Sequence, residues 1–357
     1  MYRARPWATA GVVVVGAAVV SATPASAMAT ALPAVAVADV QLSAADTIDM
    51  VLDLVRHGQS TDNVHGIIGT VPPGAPLSAE GRTQAAYLAN LDNPQHLQSP
   101  SYYDGIYASD FIRTQETAAA WLSAAGAPNT PVTDLAGLDE INAGIFNGQT
   151  ESNPLAALAY IVPPLEWILG NYGASELGST IDPNGAAFDE RYSAAIDEIY
   201  AHGGTIGANG DYNDVAFSHG AAISTWVMMN VKNPDFEVYF KSLAEGVLPN
   251  TAQVVIEGNP TSGWTLISYN GIDVPKDPGL LTGLFVDWRD MITVPQLASW
   301  NIWEAIQGGD AADITAALNT GFTDVVGALE AFPQAVIDTI SDATDDPSAG
   351  AGAVGAL

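Results

Sequence analysis

The chain has 357 residues, with 10 Lys and Arg against 40 Asp and Glu, a formal charge of −30. Phosphate backbones are bound by clustered Lys and Arg, so nucleic acid is excluded as a default partner. Only 14% of residues are charged and 48% are hydrophobic, against roughly 25% charged in ordinary domains, which describes a core-forming protein and not an acidic disordered tail. The absence of Cys removes disulfides, thiolate metal sites and cysteine nucleophiles.

At the N-terminus Arg3 and Arg5 precede the apolar stretch Trp7 to Val20, which is short for the roughly 20 residues of a membrane span. Ala25-Ser26-Ala27 offers a small-residue cleavage site. The expectation is a signal peptide over 1–27, a flexible Ala/Val lead-in over 28–48, and a protein that is secreted or held at the cell wall or periplasm. No stable membrane insertion is expected after cleavage; an uncleaved anchor is the alternative.

From Met50 the chain alternates strand and helix. Met50–Val55 is a short β-branched run that delivers Arg56-His57-Gly58 at its carboxyl end, and strand ends of this kind are where open α/β sheets bind ligands. Ser78 is placed to cap a helix running through Leu91. Tyr103–Ser109 reads as a strand, followed by a helix from Asp110 through Leu122. Asp214–Ser218 is another strand, with a helix over Ala221–Met229 behind it, and Ala252–Glu257 and Trp264–Tyr269 are two more. Asp182-Pro183-Asn184-Gly185 reads as a turn: Ser193 stands where a calcium loop needs its bidentate Glu. This alternation predicts an α/β three-layer sandwich, a mainly parallel central sheet with helices on both faces.

Three segments carry chemistry just after strands: Arg56-His57-Gly58, Ser109 to Arg113, and Ser218-His219-Gly220. Gly58 is placed to let the backbone approach a ligand. Two Arg and two His converging at strand ends make an oxyanion pocket containing a nucleophile. No H-E-x-x-H or G-x-S-x-G occurs, which removes zincins and the common serine hydrolases.

The segment L-V-R-H-G-Q-S-T-D-N from Leu54 resembles the signature of the histidine phosphatase superfamily, the phosphoglycerate mutase-like fold. P-L-S-A-E-G-R-T-Q-A from Pro76, S-D-F-I-R-T-Q-E-T-A from Ser109, L-D-E-I-N-A-G-I-F-N-G from Leu138, F-S-H-G from Phe217 and L-P-N-T-A from Leu248 follow in the family's order. The resemblance covers about Met50 to Tyr269 and implies a catalytic domain over 49–277. It implies that His57 is the nucleophile that becomes phosphohistidine, and that Arg56 and Arg113 hold the non-bridging oxygens. His219 would donate to the transferring group, Asn63 would add a neutral donor, and Glu140 would be the general acid. Asp139 competes with Glu140, which is preferred because Gly144 satisfies the x-x-x-Gly spacing after it. No metal and no cofactor are implied.

The site resembles the mutase and broad-phosphatase branch, since R-H-G-x-R-x-P is absent. Between Arg113 and Arg191 there is no Lys or Arg, so a second anionic group on the substrate finds no local cation there. A phosphatase acting on small phosphate monoesters is therefore expected ahead of a mutase-like phosphotransferase; a non-catalytic secreted binding protein retaining the fold is the rival of another class. Ile68 precedes Gly69 where the family often has Gln, which predicts a drier or displaced phosphate loop. Pro154 to Tyr172 sits where this branch inserts a cap, and this segment, which bears Trp167 and Ile residues, either walls an apolar leaving group or packs into the core.

A helical extension is expected over 278–341. Leu318, Phe322, Val325, Leu329 and Phe332 mark an amphipathic helix interrupted at Pro333, for docking on the catalytic domain or on a homodimer partner. A disordered tail is expected over 342–357.

Overall fold

A computed structural model describes residues 48–345, apart from 245 and 247. The expected signal peptide, nearly all of the lead-in and the tail beyond 345 lie outside these residues. The apolar run at Met50 forms β1 (Met50–Arg56), followed by α1 (Thr61–His65), α2 (Ala79–Tyr87), β2 (Gly105–Ala108), α3 (Ile112–Ala124) and β3 (Thr133–Asp134). Then come α4 (Pro154–Ile168), α5 (Gly185–His202), β4 (Tyr212–Ser218), α6 (Gly220–Asn230), α7 (Phe236–Ala244), β5 (Gln253–Asn259), β6 (Gly263–Tyr269), β7 (Ile272–Asp273), α8 (Leu280–Gly308) and α9 (Ala311–Asp345).

The strands form one sheet in the order β3-β2-β4-β1-β5-β6-β7. The half that carries the site is parallel, β3 on β2, β2 on β4 and β4 on β1; β5, β6 and β7 extend it as an antiparallel meander. Alternation along the strands sorts residues to two faces. Leu52, Leu54, Tyr107 and Ala216 join a core with Phe188, Tyr192 and Ile196 of α5 and Ile223 and Trp226 of α6. Val55, Ile106, Ala108, Val215 and Phe217 join a second core with Ala118, Trp121 and Leu122 of α3. The result is an α/β sandwich with helices on both faces of its sheet.

Asn184, expected in a turn, caps α5: its side chain accepts from the Ala187 N–H, and the turn opens a helix absent from the sequence reading. At the C-terminus, Pro333 lies inside α9 and does not interrupt it; the helix runs on through Asp345, into the stretch expected to be a tail. The face it packs is also shifted. Val325 and Phe332 are half-buried, but Leu318, Phe322 and Leu329 are exposed. Antiparallel packing against α8 is set by small residues: a Cβ on Gly283 would lie 2.6 Å from Thr339, and one on Gly321 would lie 3.0 Å from Ala298. Bulky side chains are pushed to the flanks by that close approach. The helix that docks on the α/β body is α8, through Arg289 to the carbonyls of Met228 and Val231, Gln296 to Gly170, and Trp300 to Glu190.

Candidate active site

Parallel register builds the site. Arg56, the last residue of β1, lies opposite Ser218, the last of β4, so the next residues, His57 and His219, leave neighbouring strands side by side. Their ring centroids are 5.2 Å apart. Ser109, just past β2, continues the ladder by donating its N–H to the Phe217 carbonyl. The loop after β1 is held by Gly58 N–H on Thr117 Oγ1 at 3.0 Å and by Asn250 Nδ2 on the His57 carbonyl at 3.1 Å. Gly58 does not free the backbone for a ligand as expected: a Cβ there would lie 2.5 Å from the Gly81 carbonyl oxygen, so its small size lets two backbones meet.

His57 is 3% exposed, and its Nδ1 lies 2.7 Å from the Gly58 carbonyl oxygen. A carbonyl only accepts, so Nδ1 carries the hydrogen and Nε2 keeps its lone pair. Nε2 receives the Nε–H of Arg113 at 3.0 Å. Burial, then the charges of Arg113 and Arg56, push the imidazole well below its ordinary value. At neutral pH it is uncharged.

Arg113, at the start of α3, also donates to His219 Nδ1 at 2.9 Å and to the Gly69 carbonyl at 3.1 Å. Its guanidinium lies 4.1 Å from the Phe111 ring centroid. Arg113 NH1 and Arg56 Nε are buried and have no hydrogen-bond partner among the described residues. Both guanidinium groups line the same cavity, and paired guanidinium groups suit an anion's oxygens. Burial lowers Arg113 to about 10, which leaves it charged at neutral pH. Arg56 also donates to the Leu248 carbonyl, tying the site to the loop before β5.

His219 does not line the cavity and is fully buried. Because Nδ1 accepts from Arg113, its hydrogen sits on Nε2, 2.8 Å from Ser109 Oγ. Burial first, and Arg113 second, hold it well below its ordinary value. A neutral His219 in this tautomer has no N–H aimed at a transferring group. In this arrangement His219 orients the Arg113 guanidinium.

Glu140 reaches the cavity from the loop after β3. Its Oε1 accepts from the Ile141 N–H at 3.0 Å and from the Ala222 N–H at 2.9 Å, in the first turn of α6. Desolvation raises its pKa, opposed by Arg113 and these two N–H groups. Asp139, the competitor, accepts from the Asp110 N–H and lies outside the cavity lining. Asn63 lines the cavity; its Oδ1 completes the α1 capping box with Ser60, which leaves the amide NH2 as the group available to a ligand.

Sequence reasoning missed what holds the Glu140 loop. Arg191 of α5 pairs with Asp182 through two contacts of 2.9 and 3.0 Å, and also donates to the Gly137 and Asp139 carbonyls. Asp182 in turn accepts from the Asn142 N–H at 2.8 Å. One ion pair thus grips the chain on both sides of Glu140. Helical spacing in the run after Asn184 was the signal that would have placed Arg191 on a helix.

The cavity has a volume of about 250 Å³. Arg56, His57, Asn63, Arg113 and Glu140 line it together with Asp62, Glu151, Ile68, Ala157, Tyr160 and Ile161. Ile68, in place of the family's Gln, packs with Ala143 and Ala156, an apolar anchor for the loop. Trp167 is not a wall of the cavity: it is fully buried, stacks on Phe188 and donates to the Ala174 carbonyl. The part of α4 that reaches the site is about two to three turns earlier, at Ala157, Tyr160 and Ile161.

The family model of the histidine phosphatase superfamily (branch 1) matches residues 52–245. The chain is 41% identical over 305 residues to the PE-PGRS family protein PE_PGRS11 of Mycobacterium tuberculosis (strain ATCC 25618 / H37Rv), covering 84% of this chain and 49% of that protein. It therefore spans about half the length of that curated relative. Among solved structures it is similar to a phosphoglycerate mutase from Bacillus anthracis str. Sterne, at 22% identity over 64% of this chain and 95% of that one, with a TM-score of 0.44. It is also similar to a mycobacterial glucosyl-3-phosphoglycerate phosphatase in complex with VO3, at 20% identity over 62% and 98%, with a TM-score of 0.43.

Proposed function

The chain belongs to the histidine phosphatase superfamily, and we propose that within it the protein is an exported, metal-independent phosphatase that hydrolyses small phosphate monoesters through a phosphohistidine at His57. The observation that carries this reading is one cavity lined by two guanidinium groups, Arg56 and Arg113, and an imidazole whose Nε2 keeps its lone pair, which Arg113 Nε–H holds in place. The Nε2 lone pair attacks phosphorus as the ester P–O bond breaks. Arg56 and Arg113 take the non-bridging oxygens, where charge builds in the transition state. Glu140 gives its proton to the departing alkoxide, and the resulting carboxylate then removes a proton from the water that cleaves the P–N bond. Hydrolysis is favoured over mutase chemistry because, among the described residues lining the cavity, the permanent cations are Arg56 and Arg113. Neither is spare for a second phosphate or a carboxylate.

The direct test is hydrolysis of phenyl phosphate from about pH 4 to 8 with chelator present, beside the His57→Ala variant. Turnover that resists chelation and is lost in the variant is expected. Absence of turnover in both would move the protein to the binding-protein reading. Export rests on the Arg3, Arg5 and Ala25-Ser26-Ala27 pattern, and N-terminal sequencing of the mature protein tests it: a start near Met28 supports cleavage, and an intact leader contradicts it.

A further inference from the structure

The charges lining the cavity are of both signs. Arg113 and His57 are each 3% exposed, and Arg56 is half-buried. Apart from these, the charged lining groups are carboxylates: half-buried Glu140 and Asp62, and exposed Glu151. Glu140 is engaged with two backbone N–H groups. The Asp62 and Glu151 carboxylates make no hydrogen bond or ion pair among the described residues, and act on the site through space, Glu151 on Arg56 and Asp62 on Arg113. Ile68, Ala157, Tyr160 and Ile161 supply apolar lining.

We propose that the leaving alcohol carries a positive charge: the substrate class is the phosphate monoester of a short amino alcohol, with its phosphoryl group on Arg56 and Arg113 and its ammonium group facing Glu151 and Asp62. This rests on the phosphatase reading above. A monoester of this kind is a dipole, negative at the phosphoryl end and positive at the other, and the lining carries the complementary charges. The cavity of about 250 Å³ lies at the small end of the roughly 300–1,000 Å³ of ligand pockets, which limits the alcohol to a few carbons. Those carbons meet the apolar side chains of the lining. A carboxylate on the alcohol would instead face two carboxylates, and the −30 charge of the chain adds to that repulsion at long range.

Three esters of nearly equal size separate the possibilities: 2-aminoethyl phosphate, propyl phosphate and phosphoglycolate, with phenyl phosphate as a general probe of turnover. At low ionic strength the wild type is expected to favour the aminoethyl over the propyl ester by about tenfold in kcat/KM, and to turn over phosphoglycolate least, with the preference weakening as salt is added. The amine also makes its alcohol a better leaving group, so the decisive quantity is how the aminoethyl-to-propyl ratio changes on mutation. Glu151→Gln is expected to lower it several-fold and Glu151→Lys to push it below that of Glu151→Gln while improving phosphoglycolate. A general loss of folding or activity lowers both esters and leaves the ratio alone. A ratio unchanged by Glu151→Gln and Glu151→Lys, or a wild-type preference for phosphoglycolate, would overturn the proposal while leaving the phosphatase reading intact. No turnover of any ester, phenyl phosphate included, would overturn both.

Discussion

A single carbonyl decides the chemistry of His57. Gly58 accepts from Nδ1, so the lone pair is on Nε2, where Arg113 and the cavity meet it. His219, one strand over, has the opposite tautomer because its Nδ1 receives an Arg113 N–H. Between them the two rings fix one guanidinium. Glu140 then completes the set as a carboxyl whose pKa is raised chiefly by desolvation; in the proposed reaction it is the protonated form that assists departure of the alcohol. For an alkyl phosphate, kcat/KM should therefore fall as pH rises through the Glu140 value, while His57, held well below its ordinary value, stays unprotonated on the acid side of neutrality. Glu140→Gln should lose about 10²–10⁴-fold on an alkyl phosphate and far less on 4-nitrophenyl phosphate, whose leaving group needs no proton. Equal losses on both esters would remove Glu140 from the acid role. Arg56, His57, Asn63, Arg113, Glu140 and His219 were legible in the sequence because each sits in a local block. The Arg191–Asp182 grip on the Glu140 loop was not, because its bonds to that loop span 40 to 54 residues of chain and no local pattern encodes them.

At the scale of elements, the strands and helices around the sheet were legible because a buried β-branched run and a capped apolar face are local signals. The observed β1, β4 and α6 match the expected spans to within two residues at each end. Proline misled the reading at Pro333, which lies inside α9, as Pro163 and Pro164 lie inside α4 and Pro295 inside α8; packing of long helices outweighs the lost N–H bonds. In α4 the largest side chain also drew attention to the wrong turn. Trp167 belongs to the core, so Trp167→Ala should cost about 3–5 kcal/mol of stability and leave the KM of folded enzyme unchanged. Ile161→Ala, at the cavity, should raise KM with little loss of stability, since Ile161 is 37% exposed. Unfolding curves and steady-state kinetics on both variants check the pair; the reverse pattern would return Trp167 to the cavity wall.

For the whole molecule, the excess of carboxyl groups matters most where they are buried. Burial pushes Asp139 and Asp214 up to about 7 and Glu176 up to about 8, and neither carboxyl oxygen of Glu176 has a hydrogen-bond partner among the described residues. In the folded protein each holds a proton that the unfolded chain, with carboxyl values near 4, has already released. Stability therefore falls as pH rises from the unfolded toward the folded values. His57 and His219 act in the opposite sense, but only below about 6.5, the ordinary value beneath which burial holds them. Above that pH the carboxyls act alone, so Tm should fall between about pH 6.5 and 8, and Glu176→Gln should reduce the fall. A Tm that rises over this interval, or an equal fall in the variant, would contradict the assignment.

The fold, the charge and the cavity all bear on the one event we propose, transfer of a phosphoryl group to His57 Nε2. Its most direct test is to mix the protein with phosphoryl-labelled phenyl phosphate, quench within the first turnovers and map the label. The expected result is an acid-labile, alkali-stable phosphohistidine at His57, absent from His57→Ala along with turnover. Label on another residue, or hydrolysis that persists in His57→Ala, would contradict it.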